Sequence, residues 1–241
     1  MIVDSMNYAE VFAELDRDRP NLERWMDRKY DEARRYALKH ERKDFPMVLV
    51  AEHMSPRRIK YGVMFILRKR DINGNTYMYS YTRRKVPTGG FEVYLCQVQS
   101  DSRVPNVVYI PHAIKRYAER TGCDKTGDDL IRHMFISSIE CVMNRNQQIG
   151  SKSVRYKGDM LIAFCTQEGA WLGKQEGNIF VINTFITYDM MCGKQAEEYG
   201  RHRDTFYRGV DIIDDFCVVF NNRQSIRSNQ PMTRKIKKLK S

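Results

Sequence analysis

The sequence predicts an α+β protein, and three observations carry the prediction. A segment with helical spacing of apolar residues lies near the start. Strand-like runs joined by turn signals follow as far as residue 110. A pair of helices then leads into four further short strands.

Residues 1–45 form the N-terminal helical segment. Within Asn21 to Arg42, the residues Leu22, Trp25, Met26, Tyr30, Ala33, Tyr36 and Ala37 recur at helical spacing. Pro20 and Asn21 supply a start signal. The opposite face alternates basic and acidic residues, the pattern of a solvated, salt-bridged face.

Residues 46–110 predict an antiparallel β meander. "MVLVAEHM" is followed by "IKYGVMFILRKR", and "DINGN" then turns the chain into "TYMYSYTRRK". Asn73-Gly74 between two such runs is a hairpin signal. "VPTGG" is a second turn before "FEVYLCQVQ", and "NVVYI" closes the group. Tyr77, Tyr79 and Tyr81 alternate onto one face, and Arg83 and Arg84 follow them. Two readings stand for this strand. Rings with nearby cations suit single-stranded nucleic acid, whose bases stack on them. Alternatively, the tyrosines pack a core and the arginines protect an edge.

Residues 111–187 predict a compact α+β unit. Pro111 opens a short helix that Gly122 ends. A second helix starts near Thr126, with Asp128 and Asp129 in its positive first turn, and runs to about Arg145. On it His133 lies with Ser137 and Glu140 on the polar face. Four strands follow, with glycine turns at Glu168-Gly169 and Glu176-Gly177-Asn178 and with Trp171 as a core anchor. "NVVYI" runs straight into the Pro111 helix, so the two halves can share one sheet. Residues 188–222 predict two further helices, and 223–241 a basic tail.

The net charge of the 241-residue chain is +11, and seven of those excess cations lie after Asp215. Arg234, Lys235, Lys237 and Lys238 are the densest group. A tail of this kind attracts polyanions, nucleic acid ahead of membrane, because no apolar face accompanies it. The alternative is a solvated tail that aids solubility. The first residues have acids where a secretory leader would be basic, and no apolar run approaches membrane-spanning length. These features predict a cytoplasmic protein without a membrane partner. The six cysteines are scattered, with no Cys-x-x-Cys pair. The expectation is reduced thiols, no metal site and no cofactor.

The helix "PHAIKRYAERTG" carries the candidate chemistry. At about 100° per residue, His112, Arg116 and Arg120 fall along one stripe with a drift of about 40° per step. An imidazole can take a proton. Guanidiniums can hold a phosphate and stabilise charge that develops on it. That pairing suits RNA cleavage through the ribose 2′-hydroxyl, which needs neither a metal nor an enzyme nucleophile. The structural alternative has His112 capping its own helix and Arg116 pairing with Glu119 or Asp124.

"PHAIKRYAER" is similar to the His-Ala-x-x-Arg-x-x-x-Arg helix of toxin-type domains of the barnase–EndoU–colicin–RelE superfamily. The order of two helices and then a four-stranded antiparallel sheet also resembles that RelE-like fold. The likeness covers about residues 109–188. It implies a possible endoribonuclease acting without metal, RNA ahead of DNA as ligand, and a protein antitoxin or immunity partner. It further implies a hydroxyl on the last strand, "FVINTFITYD", where Thr184 matches best and Thr187 and Tyr188 are neighbours. The implied catalytic set is His112, Arg116, Arg120 and Thr184. The chain also resembles uncharacterised proteins of bacterial mobile elements and phages with the same helix and a "TFIT"-like strand. For a non-catalytic accessory protein of that kind, the nucleic-acid-binding set would be Tyr77, Tyr79, Arg83, Arg84 and the tail cations.

Overall fold

A computed structural model describes residues 2–39, 47–67, 77–87, 89–96, 106–138, 155–156, 159–166, 168–193, 196 and 217–220. It is an α+β fold in which helices cover both faces of one mixed sheet.

The first helix, α1, spans Tyr8–Lys39 and so begins well before Pro20. Asn7 and Glu10 form a reciprocal capping box. The Glu10 amide donates to Asn7 Oδ1 at 3.0 Å, and the Asn7 amide donates to Glu10 Oε2 at 2.8 Å. Val11, Phe12 and Leu15 extend the buried stripe of Leu22, Trp25 and Met26, so core packing carries the helix through Pro20.

Five strands follow: β1 (Met47–Met54), β2 (Lys60–Leu67), β3 (Tyr77–Lys85), β4 (Phe91–Cys96) and β5 (Asn106–Tyr109). Each pairs antiparallel with the next. The Asn73-Gly74 turn lies outside the described residues, but the β2–β3 ladder it joins runs from Tyr61↔Thr82 to Ile66↔Tyr77. Helices α2 (Pro111–Thr121) and α3 (Gly127–Ser137) come next, then β6 (Arg155–Tyr156), β7 (Asp159–Cys165), β8 (Gly169–Glu176) and β9 (Ile179–Thr187). A short 3-10 turn covers Tyr188–Met190. The predicted extension of α3 to Arg145 lies outside the described residues.

The sheet order is β10-β1-β2-β3-β4-β5-β9-β8-β7-β6. Its last member, β10 (Cys217–Phe220), falls where the sequence predicts a helix. Val218 and Val219 favour extended backbone, and β10 finds a parallel partner in β1. The boundary at residue 110 is not a break in the sheet: β5 pairs parallel with β9, Val108 opposite Val181.

Alternation sorts the side chains to two cores. Leu49, Tyr61, Val63, Phe65 and Val108 meet α1 on one face. Val48, Val50, Met64, Ile66, Val107 and Tyr109 meet α2 and α3 on the other. Double coverage explains why β1 and β2 read as near-continuous apolar runs. Among the described residues, no helix is long and apolar enough to cross a membrane.

Candidate functional site

Helix α2 has the bounds its sequence predicts. Pro111 occupies the first turn, where its missing N–H costs no hydrogen bond. Gly122 ends the helix at φ 64°, and the Cys123 amide donates to the Ala118 carbonyl. Ala113, Ile114 and Tyr117 face the core. Tyr117 stacks on Trp171, with ring centroids 5.1 Å apart, and meets Phe185 edge-on at 5.0 Å. Such ring pairs are each worth about 0.5–1.5 kcal/mol beyond area burial. They hold α2 across β8 and β9.

The candidate stripe lies on the outer side of this helix. His112 is exposed, and Arg116 Nε donates to His112 Nε2 at 3.4 Å. Arg116 Nη1 also donates to Glu119 Oε2 at 2.9 Å, and Lys115 lies 3.8 Å from the same carboxylate. One turn on, Arg120 Nη1 donates to Thr184 Oγ1 at 3.5 Å and to the Phe185 carbonyl. Helix α2 and strand β9 therefore bring the four residues into two pairs, His112–Arg116 and Arg120–Thr184. No hydrogen bond joins the pairs among the described residues.

A bulge in β9 explains the position of Thr184. Leu172 lies opposite Thr184 while Gly173 lies opposite Ile182, so Asn183 is an extra residue in the ladder. Ile182 and Phe185, three apart, consequently share the core face under α2. A β carbon on Gly173 would come 2.2 Å from the Val181 carbonyl oxygen, so the bulge needs glycine there.

The nucleic-acid-binding candidates on β3 fare differently. Tyr79 is 5% exposed and stacks on Phe135 at 6.2 Å, so it is a core ring with no face for a base. Tyr77 pairs with Ile66 at the start of β3, and its side chain lies outside the described residues. Arg84 is corrected to a structural role. Its Nη2 meets Glu92 Oε2 at 2.7 Å, with the two side chains 10% and 9% exposed, and its Nη1 donates to the Met6 carbonyl. The same carboxylate accepts from Tyr94 Oη at 2.5 Å and from Tyr8 Oη at 3.2 Å. This guanidinium is committed to tying the segment before α1 onto β3 and β4. Arg83 remains at the surface, 41% exposed, with Nη1 3.3 Å from Asp128 Oδ1. Arg234, Lys235, Lys237 and Lys238 lie outside the described residues.

A second polar group sits behind α2. His133, predicted to face solvent, is 7% exposed. Its Nδ1 lies 2.9 Å from Tyr117 Oη, which also contacts Ser137 Oγ at 2.7 Å and donates to Glu168 Oε2 at 2.7 Å. Burial pushes the Tyr117 hydroxyl's pKa well up, and the Glu168 carboxylate adds to the effect. The i,i+4 spacing of His133 and Ser137 on α3 was the available signal. Its meaning depends on Tyr117 from α2 and Glu168 from the β7–β8 turn.

No family model, curated protein or solved structure matches this chain.

Proposed function

We propose that the chain binds RNA on the outer side of α2 and cleaves it without a metal ion. The observation that supports this most is the pairing of stripe and strand: Arg120 Nη1 at 3.5 Å from Thr184 Oγ1, one turn from the exposed His112–Arg116 pair. In this reading His112 takes the proton of a ribose 2′-hydroxyl. The freed oxygen attacks the adjacent phosphorus. The bond to the 5′-oxygen breaks, and that oxygen takes a proton from water. The products are a 2′,3′-cyclic phosphate and a 5′-hydroxyl. Arg116 and Arg120 hold the phosphate and offset the charge that grows on it, and Thr184 positions Arg120. The resemblance of the α2 motif to RelE-like toxin-type domains points the same way. Incubating pure protein with RNA in EDTA, beside His112→Ala, tests the mechanism. Cleavage that persists in EDTA and disappears in the variant is the expected result. Cleavage lost in EDTA, or unchanged in the variant, refutes it.

A second reading has support of its own. Arg116 is neutralised by Glu119, and Arg120 already donates to a backbone carbonyl. Guanidiniums so engaged suit a non-catalytic nucleic-acid-binding protein, such as an accessory protein of a phage or mobile element. That reading requires RNA affinity with no cyclic-phosphate product, in wild type and His112→Ala alike.

A further inference from the structure

The register of the sheet carries the front half of the chain to the His112 end of α2. On β3, Tyr79 and Tyr81 face α2 and α3, so Arg83 and Lys85 continue the same face by alternation. Lys85 pairs with Phe91 and Arg83 with Val93. Val93 in turn lies opposite Tyr109, so two residues further along the ladder Phe91 is level with Pro111. Contact confirms the neighbourhood: a β carbon on Gly90 would sit 3.1 Å from Pro111 Cβ. The turn itself is tight. Gly89 and Gly90 take φ 94° and 80°, and the Gly89 amide donates to the Val86 carbonyl at 3.0 Å.

The chemistry of this row is specific. Phe91 is only partly buried, against the core that α2 and α3 cover. The Arg83 guanidinium carbon lies 5.6 Å from its ring centroid. Lys85 is exposed and makes no ion pair among the described residues. Pro111 leads directly into the exposed His112. A partly buried ring, an arginine over it and an exposed lysine form a stacking platform with a phosphate contact. They lie at the opposite end of β3 from Tyr77, and of the sequence's nucleic-acid-binding candidates they include Arg83.

We propose that Phe91, Arg83 and Lys85 form a ledge for single-stranded RNA, which stacks one base on Phe91 and leads the strand to His112. The proposal rests on the RNA reading of the α2 face and extends its site across the β3–β4 hairpin. Base stacking tolerates sequence, and only an unpaired strand can offer a base face. The ledge therefore binds single strands of varied sequence and rejects duplex.

The test uses full-length His112→Ala protein, so cleavage cannot erode the probe. A fluorescein-labelled single-stranded RNA octamer is titrated by anisotropy, with a blunt RNA duplex alongside. Phe91→Leu keeps apolar bulk and loses the π face, and should weaken single-strand binding about five- to tenfold. Lys85→Gln should lower the slope of log K against log salt by about one. Circular dichroism checks that both variants fold. Single-strand binding unchanged in both variants overturns the ledge and leaves the α2 reading standing. No RNA binding at all overturns both. Variant losses as stated, with no cleavage by wild type, support the ledge and sink only the catalytic step.

Discussion

Tyr117 Oη and His133 Nδ1 lie 2.9 Å apart beneath α2, and counting protons fixes which of them donates. The phenol has one hydrogen, and its contact with Glu168 Oε2 at 2.7 Å uses it, because an ionised carboxylate only accepts. His133 Nδ1 must therefore carry a proton and donate to Tyr117. Ser137 Oγ has the Met134 carbonyl at 3.0 Å as an alternative acceptor. One hydroxyl thus joins α2, α3 and the β7–β8 turn. Tyr117→Phe keeps the ring on Trp171 and strands these partners, which should cost about 1–3 kcal/mol. In urea unfolding the midpoint should fall with the slope unchanged. An unaltered midpoint would show that the hydroxyl is idle.

Alkaline pH should unfold the protein cooperatively. Burial raises the pKa of Tyr8, Tyr36, Tyr61, Tyr81, Tyr94 and Tyr117 above the ordinary 10.0, Tyr8 to about 12 with Glu92 beside it. Their contribution is fully present below pH 10, where folded and unfolded chains both hold the protons. Above it the unfolded chain releases protons first, so stability falls as pH rises. The tyrosinate absorbance of these six rings, out of fourteen tyrosines in the chain, should appear together with loss of far-ultraviolet circular dichroism above pH 10. Ionisation of all fourteen in a protein that keeps its circular dichroism would contradict the burial of these rings.

The bulge in β9 offers a third check. Gly173→Ala pushes a methyl group towards the Val181 carbonyl and should destabilise by about 1–3 kcal/mol, as overpacking does. It should also shift Thr184 relative to Arg120. In the RNA reading, cleavage falls by more than the lost folded fraction explains, measured at a temperature where the variant is folded.

Local chemistry made some of this architecture legible and left the rest obscure. Pro111 and Gly122 bound α2 because each acts within a single turn. Gly177 likewise marks the β8–β9 turn, at φ 60°. Alternation put Tyr79 and Tyr81 on one face, but what covers a face is a tertiary fact, and Phe135 covers this one. From the sequence Arg84 reads as a surface cation, because Glu92, its partner, lies across a hairpin. The extra residue at Asn183 changes the face of everything after it, and no turn residue announces it. Pro20 is a strong local start signal for α1, and a buried stripe on both sides of it outweighs that signal.

Arg84 separates structure from binding. Arg84→Met leaves the Glu92 carboxylate nearly buried without its cation and should cost about 3–5 kcal/mol. Below the variant's melting temperature, RNA affinity should match wild type. A weakened affinity in folded protein would return Arg84 to the binding surface.

Glu119 restrains the candidate site. Its carboxylate holds Arg116 at 2.9 Å and Lys115 at 3.8 Å, all on the exposed side of α2. If RNA lies along this helix, each phosphate must compete with Glu119 for those cations. Glu119→Gln keeps the shape and removes the competitor. RNA affinity should rise roughly two- to fivefold, the scale of a surface ion pair. The dependence of log K on log salt should steepen by about one for each cation that gains a phosphate. Cleavage should rise in kcat/KM along with affinity, because the Arg116 that Glu119 releases holds the phosphate in the proposed mechanism. Unchanged affinity and slope would mean that Arg116 and Lys115 never meet the nucleic acid, and the outer side of α2 would lose its claim as the binding face.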